Sequence, residues 1–218
     1  MRYKIRTASG WIEIKSENAA LSHQFQSKCL VDFLKSRALV SKSLDYGCGK
    51  LRYTNELRKI SDTVMLADSE IQLTRVQEIC GKRTSIRDFA KKNWNDVNVS
   101  NLNELADNSS KYDFILCCNV LSAIPRKNLV LKTLKILSSK LAKRAECLIV
   151  NQHSNSHFTK WKTEGIKWEY GWLYKGRRGY SYYGIINKIV LDEILPKAGF
   201  TKIQIWIEGQ STYSLCSK

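Results

Sequence analysis

Leu44-Asp45-Tyr46-Gly47-Cys48-Gly49-Lys50 lies where a short apolar run, Ser43 to Tyr46, hands over to a helical pattern. Glycines at such a junction let the backbone turn tightly and approach a ligand with no Cβ in the way. A helix starting at about Arg52 points its unsatisfied amides at that ligand, and Asp45, just before the turn, can take an ammonium group or an ordered water. Gly-x-Gly on its own is a weak signal, because such turns also occur as plain chain reversals.

Outward from this junction, strand and helix signals alternate. Ser43 to Tyr46, Val64 to Ala67, Phe114 to Cys118 and Cys147 to Val150 are short apolar runs of the kind buried on both faces of a sheet, with a weaker one at Thr84 to Arg87. Tyr53, Leu57 and Ile60 form one helical stripe; Ile71, Val76, Ile79 and Cys80 a second; Val130, Leu134, Leu137 and Leu141 a third. A further amphipathic helix is expected over about 17–39, from Leu21, Phe25, Cys29, Leu30, Phe33 and Leu34. Near the end, a helix from Asn187 to Ala198, stopped by Gly199, leads into a hairpin of Lys202 to Ile207 and Thr212 to Cys216. The expected fold is α/β: a doubly wound, mostly parallel seven-stranded sheet with a C-terminal antiparallel hairpin and helices on both faces.

A second acid strengthens the reading of the glycine turn. Asp68 closes the next strand, about 20 residues beyond the glycines, where a carboxylate can accept both ribose hydroxyls of an adenosine. Asp68 could equally cap the following helix, as could Ser69. Asp88 ends the weak strand and is followed by Phe89, a pair that suits an adenine edge or, as readily, a loop aspartate beside a core phenylalanine.

The order of Asp45-Tyr46-Gly47-Cys48-Gly49, then Asp68, then Asp88, then Tyr112-Asp113-Phe114-Ile115-Leu116-Cys117-Cys118-Asn119-Val120-Leu121 resembles the class I S-adenosylmethionine-dependent methyltransferases, over about 44–150. The resemblance implies S-adenosylmethionine as cofactor. Asp45, Gly47, Cys48 and Gly49 would hold its methionine end, Asp68 with Ser69 its ribose, and Asp88 with Phe89 its adenine. Asn119 and Val120 would line the methyl-transfer pocket. The family's loop often has a further glycine, and here that position falls on Leu51 or Arg52.

One domain spanning 1–218 is expected, since no repeat, low-complexity tract or linker divides the 218 residues. The seven cysteines include no pair spaced for zinc, so no metal is expected and the thiols read as reduced and mostly buried. No apolar run is long enough to span a bilayer and none follows the basic start, which points to a soluble, cytoplasmic protein with no membrane partner. A net charge of +16 attracts phosphates, of nucleic acid or of a small anion. Lys132, Lys135, Lys140 and Lys143 read instead as the solvated face of a helix.

An aromatic and basic insertion at about 159–186 is the most unusual stretch. Its substrate-binding candidates are Trp172, Tyr174, Arg177, Arg178 and Tyr182. Rings among cations suit stacking on bases, a lid over a small planar acceptor, or a β-hairpin packing on the sheet. Gly165, Gly171, Gly176, Gly179 and Gly184 favour the lid, as backbone freedom for a closing loop. Methyl transfer needs no dedicated base; His153, His157 and Tyr182 are the candidates by position. Asn119-Val120-Leu121-Ser122-Ala123-Ile124-Pro125 resembles neither DNA-base methyltransferase motif, which favours a small or medium-sized acceptor. The alternatives are an RNA or DNA methyltransferase, and a non-catalytic cofactor- or nucleic-acid-binding module.

Overall fold

Strands that are buried on both faces are built from uninterrupted apolar residues, and Leu44, Leu66, Ile115, Leu116 and Cys117 are all fully buried. The structure, a computed structural model, describes residues 1–8, 10–153, 156–176 and 179–218, and of Ser156 and His157 the backbone alone. The first half of the chain comprises β1 (Arg2–Thr7), β2 (Gly10–Lys15), α1 (Lys28–Lys35), β3 (Val40–Tyr46), α2 (Thr54–Arg58), β4 (Ser61–Asp68), α3 (Glu70–Thr74), β5 (Gln77–Ile79), β6 (Lys82–Thr84), α4 (Ile86–Asn93), β7 (Val97–Asn101) and α5 (Leu102–Asp107). The second half comprises β8 (Tyr112–Cys118), α6 (Lys127–Lys140), β9 (Leu141–Gln152), α7 (Ser156–Glu164), β10 (Ile166–Trp168), β11 (Gly171–Gly176), β12 (Gly179–Gly184), α8 (Lys188–Lys197), β13 (Lys202–Glu208) and β14 (Ser211–Ser217).

Seven strands form one sheet in the order β13-β14-β9-β8-β3-β4-β7. The pairs β3/β4, β3/β8 and β4/β7 are parallel, and β13/β14 is the antiparallel terminal hairpin. Of the expected stripe, Val130, Leu134 and Leu137 lie on α6 and are fully buried, while Leu141, also buried, begins β9. Asn187 caps α8, accepting from the amide of Val190, and Gly199 follows it at φ 89, the left-handed stop that its position predicts. No helix among the described residues is long and apolar enough to cross a membrane.

Composition marks no boundary, but contacts resolve two compact units, neither contiguous in sequence. One is Ala20–Cys117 with Lys140–Cys147; the other is Met1–Ala19, Cys118–Ser139 and Leu148–Lys218. The second unit holds a five-stranded sheet in the order β1-β2-β12-β11-β10. Ile5, Ile12, Ile14, Leu173 and Tyr182 make its core. The insertion at 159–186 is thus a helix and a β-meander joined to the N-terminal hairpin, through the parallel pair Tyr180↔Ile14.

Several expectations need correction. A continuous helix over 17–39 is not formed: 3-10 turns at Ser16–Ala19 and His23–Phe25 precede α1. Polar bonds hold the chain out of helix there, with Gln26 Nε2 donating to Arg52 O at 2.6 Å and the Tyr53 hydroxyl accepting from Ser27 N at 2.9 Å. Thr84 to Arg87 is not a strand of the large sheet, because the Ser85 hydroxyl accepts from Asp88 N at 3.0 Å and starts α4. The strand next to β4 is β7 instead. The stripe from Ile71 to Cys80 fails because α3 ends at Thr74; Val76 is 64% exposed, and the chain reverses between Ile79 and Lys82 through Cys80 (φ 48) and Gly81 (φ 78). Lys132 and Lys135 are exposed as expected, but Lys143 lies on β9. Lys140 is buried, its ammonium donating to Ala106 O and to Asn108, and desolvation lowers its pKa.

Candidate functional site

In the unit of Ala20–Cys117 and Lys140–Cys147, the carboxyl ends of β3 and β4 lie side by side, Tyr46 opposite Ala67. The amides of Gly47 and Cys48 both donate to Ala67 O, at 2.7 and 3.3 Å, so the turn after β3 is tied to the end of β4. Gly47 (φ 73) and Gly49 (φ 56) hold left-handed backbone that a side chain would strain. A Cβ on Gly49 would also meet Ala20 Cβ at 3.3 Å.

Leu51 holds φ 62, the same conformation, where the family's loop often has glycine. Its side chain does not fill a ligand pocket at the surface; it is 2% exposed, part of the core. A leucine in left-handed backbone costs about 1–2 kcal/mol, which burial of the side chain offsets. Leu51→Gly should therefore destabilise the protein by about 1–3 kcal/mol, the lost burial outweighing the relieved strain. A denaturation midpoint that rises in this variant would refute the account.

Asp68 ties the site together. Its Oδ2 accepts from Gly49 N at 3.0 Å and its Oδ1 from Ser69 N at 2.7 Å and the Ser69 hydroxyl at 3.3 Å. Asp45, also buried, accepts from the Thr54 hydroxyl at 2.7 Å. Burial raises the pKa of both, and the charge of Asp68 pushes Asp45 further, to about 7. Cys48, buried with them, is held as the thiol by burial and the two neighbouring carboxylates. Among the described residues neither Asp45 nor Asp68 has an ion-pair partner. Two buried acids with no ion-pair partner among the described residues, around glycines in left-handed backbone, fit a ligand that carries positive charge and hydroxyl groups.

Asp88 and Phe89 do not join them. Asp88 Oδ2 accepts from the Ser85 hydroxyl at 2.6 Å in the first turn of α4, and Phe89 is buried edge-on against Trp94 at 5.1 Å. The residue beside Asp68 in register is Asn101, which caps α5 in a capping box with Glu104. No signal for Asn101 stands out in the sequence, since three of the five residues of Val97–Asn101 are polar.

In the other unit, Asn119 follows β8 at φ 58, a strained conformation that asparagine tolerates better than most residues. Its amide donates to Val150 O at 2.7 Å and its Oδ1 accepts from Gln152 N at 2.8 Å, with buried Val120 next in line. His153 follows at the carboxyl end of β9, Nδ1 2.8 Å from the Thr212 hydroxyl. Burial lowers its pKa, so the ring is neutral near pH 7.

The Tyr183 hydroxyl donates to Gln152 O at 2.8 Å, and its ring lies 4.0 Å from that of Phe158 and 5.7 Å from that of Trp161. Trp161 stacks in turn on Tyr174 at 5.8 Å. Tyr174 is thus brought into an aromatic group at the end of β9, and Tyr183, missed among the candidates, anchors it. Trp172 lies under the Lys167 ammonium, 3.7 Å away.

Tyr182 is misplaced by the sequence reading. Alternation along β12 turns it into the small core, where burial raises its phenol pKa, so it is no base. Gly171 does not supply mobility either, since a Cβ there would fall 1.9 Å from Tyr183 O; it permits close strand pairing. The His157 side chain, Arg177 and Arg178 lie outside the described residues.

Residues 20–205 match the family described as "Methyltransferase domain". The chain is 37% identical over 202 residues to the uncharacterized protein YmfD of Escherichia coli (strain K12), covering 93% of this chain and 91% of that one. Among solved structures, a DhpI complex with S-adenosylhomocysteine is similar at TM-score 0.59 and 13% identity, covering 85% of this chain and 80% of its own. The N-methyltransferase NodS of Bradyrhizobium japonicum WM9, also bound to S-adenosylhomocysteine, is similar at TM-score 0.55 and 14% identity, covering 86% and 83%. At such identities the likeness is one of fold.

Proposed function

The chain belongs to the methyltransferase-domain family, and on that premise we propose that it uses S-adenosylmethionine to methylate a small or medium-sized acceptor. The observation that carries this reading is a pair of buried acids with no ion-pair partner among the described residues: Asp68, bonded to the amide of Gly49 in the glycine turn, and Asp45, two residues before Gly47 and bonded to Thr54. Bound there, the cofactor supplies a methyl group on a sulfonium, which the acceptor's lone pair displaces while the broken C–S bond's electrons return to sulfur.

Asp68, with Ser69, accepts the ribose hydroxyls: Oδ2, which takes one bond from Gly49 N, keeps a lone pair, and Oδ1 gains one when the Ser69 hydroxyl turns to the ligand. Asp45 takes the ammonium group, with Gly47, Cys48 and Gly49 against the methionine end. The adenine end is assigned to the turn at Asn101 and Leu102 in place of Asp88 and Phe89. Asn119 and Val120 are the candidates for the transfer pocket, and neutral His153, in the tautomer whose Nδ1–H donates to the Thr212 hydroxyl, can accept a proton from the acceptor at Nε2. Trp172 and Tyr174 remain the acceptor-recognition candidates, supported by the ring group around Tyr183.

A nucleic-acid acceptor is the second reading, favoured by the charge of +16. The seven free cysteines suit the cytoplasm, a reducing compartment. S-adenosylhomocysteine at about 100 times its Kd should stabilise the protein by about 2.7 kcal/mol. Unchanged melting at millimolar ligand would overturn the cofactor assignment. Transfer of a radiolabelled methyl group to cell extract, with label recovered in the small-molecule fraction, supports the acceptor class; label in nucleic acid replaces it with the second reading.

A further inference from the structure

A cleft of about 510 Å³ on the small-sheet unit is lined by Arg6, Trp11, Arg126, Lys127, Trp168 and Glu169, with none of the residues assigned above to methyl transfer. Register explains why it exists. Arg6 and Trp11 are directly opposed partners in the β1–β2 hairpin, so their side chains leave the same face of the sheet. Ile5, fully buried, belongs to the core beneath. The walls are held in place: Arg126 Nη2 donates to Lys4 O at 2.7 Å, Trp168 Nε1 donates to Pro125 O at 2.8 Å, and the Lys127 ammonium sits 4.8 Å from the Tyr170 ring centre. Trp11 is 69% exposed, a large ring left in water beside exposed Arg6, Arg126, Lys127 and Glu169.

The charges in this cleft are unspent. Among the described residues Arg6, Arg126 and Lys127 form no ion pair, and Glu169 is the single carboxylate of the lining. Three cations around an exposed indole, with one carboxylate, match a ligand that is planar at one end and anionic at the other. We propose that the cleft binds a nucleotide unit, its base stacked on Trp11, its phosphate paired with Arg6 and Arg126, and a base amino or ribose hydroxyl group donating to Glu169. Stacking on an aromatic ring tolerates any base, and guanidinium groups present the forked donors that phosphate oxygens accept. The unit can be a free nucleotide or part of a single strand, the two sources sharing this chemistry.

The test uses the whole chain saturated with S-adenosylhomocysteine, so that no nucleoside enters the proposed cofactor site. Calorimetry with UDP and with a uridine octamer is expected to detect binding. UDP binding identifies a free nucleotide as sufficient, and binding of the octamer alone identifies a strand. Trp11→Ala should weaken the interaction at least about 5-fold, the low end of the loss on removing a base-stacking ring. Arg126→Gln should weaken it too, and Lys143→Gln, on exposed β9 backbone, should not. The proposal fails if neither probe binds at millimolar concentration, or if Trp11→Ala binds unchanged. It also fails if pyrophosphate binds as tightly as UDP, or oligoglutamate of equal length as tightly as the octamer. Failure here leaves the methyl-transfer reading standing, since that reading is tested by S-adenosylhomocysteine itself.

Discussion

Asp68→Ala should weaken S-adenosylhomocysteine binding by about 100-fold or more. A charge-assisted hydrogen bond lost at a buried site costs about 1.5–3 kcal/mol, and the ribose offers two hydroxyls. The substitution also removes the acceptor for Gly49 N and Ser69 N, so the glycine turn loses its tie to β4 before any ligand arrives. Part of the loss is therefore a loss of preorganisation. Asp68→Asn separates the two: its amide oxygen can still accept from Gly49 N, but the charge is gone and one carboxylate acceptor becomes a donor. Its affinity should fall between those of the native protein and Asp68→Ala. Calorimetry with S-adenosylhomocysteine reads both, with denaturant midpoints reporting the folding cost. Native affinity in Asp68→Ala would reduce Asp68 to a structural tie.

The residues that were legible in the sequence share one property, that burial alone dictated them. β3, β4, β8 and β9 lie in the middle of a sheet, and their apolar runs leave no other reading. β7 is an edge strand, Val-Asn-Val-Ser-Asn, with three of its five residues polar, a pattern that does not stand out beside Thr84 to Arg87. The same reading puts Asp88, where the register puts Asn101, beside Asp68. A Ser-x-x-Asp pattern, Ser85 to Asp88, was the available sign of a helix start.

Non-local pairing hid the rest. β1 and β2 alternate, with Ile5, Ile12 and Ile14 inward, but what they pack on is Leu173 and Tyr182, far along the chain. No local pattern announces a sheet assembled from both ends. Once β12 is recognised as a strand, its period of two sends Tyr182, the residue the sequence reading picks as a candidate, into the core and Tyr183 to the other face. The glycines of the same stretch were read as hinges, whereas at Gly171 the demand is for the absence of a Cβ. In contrast, Asp45, Gly47, Gly49 and Asp68 were found correctly as neighbours, because each marks the end of a strand whose burial fixed its place.

The stability of the ligand-free protein should fall as pH rises from about 4 to about 7, because of Asp45. Its folded pKa is about 7, raised first by burial and further by the charge of Asp68, against the opposing Thr54 hydroxyl bond. An unfolded chain gives this side chain its ordinary value near 4. Between the two values the folded protein keeps a proton that the unfolded chain releases, so each unit of rising pH favours unfolding by up to about 1.4 kcal/mol. The contribution is fully present below about 4 and has gone above about 7; Asp68, also raised, acts in the same direction. Asp45→Asn, which cannot titrate, should flatten this part of the profile. An ammonium group beside Asp45 reverses the preference, drawing the side chain to its ionised form. Binding of S-adenosylmethionine below pH 7 should then expel a proton, and affinity should rise by up to about tenfold per pH unit before levelling off near 7. Calorimetry at pH 6 in two buffers of different ionisation enthalpy counts that proton. A count of zero, equal to that of Asp45→Asn, would remove Asp45 from the ammonium site.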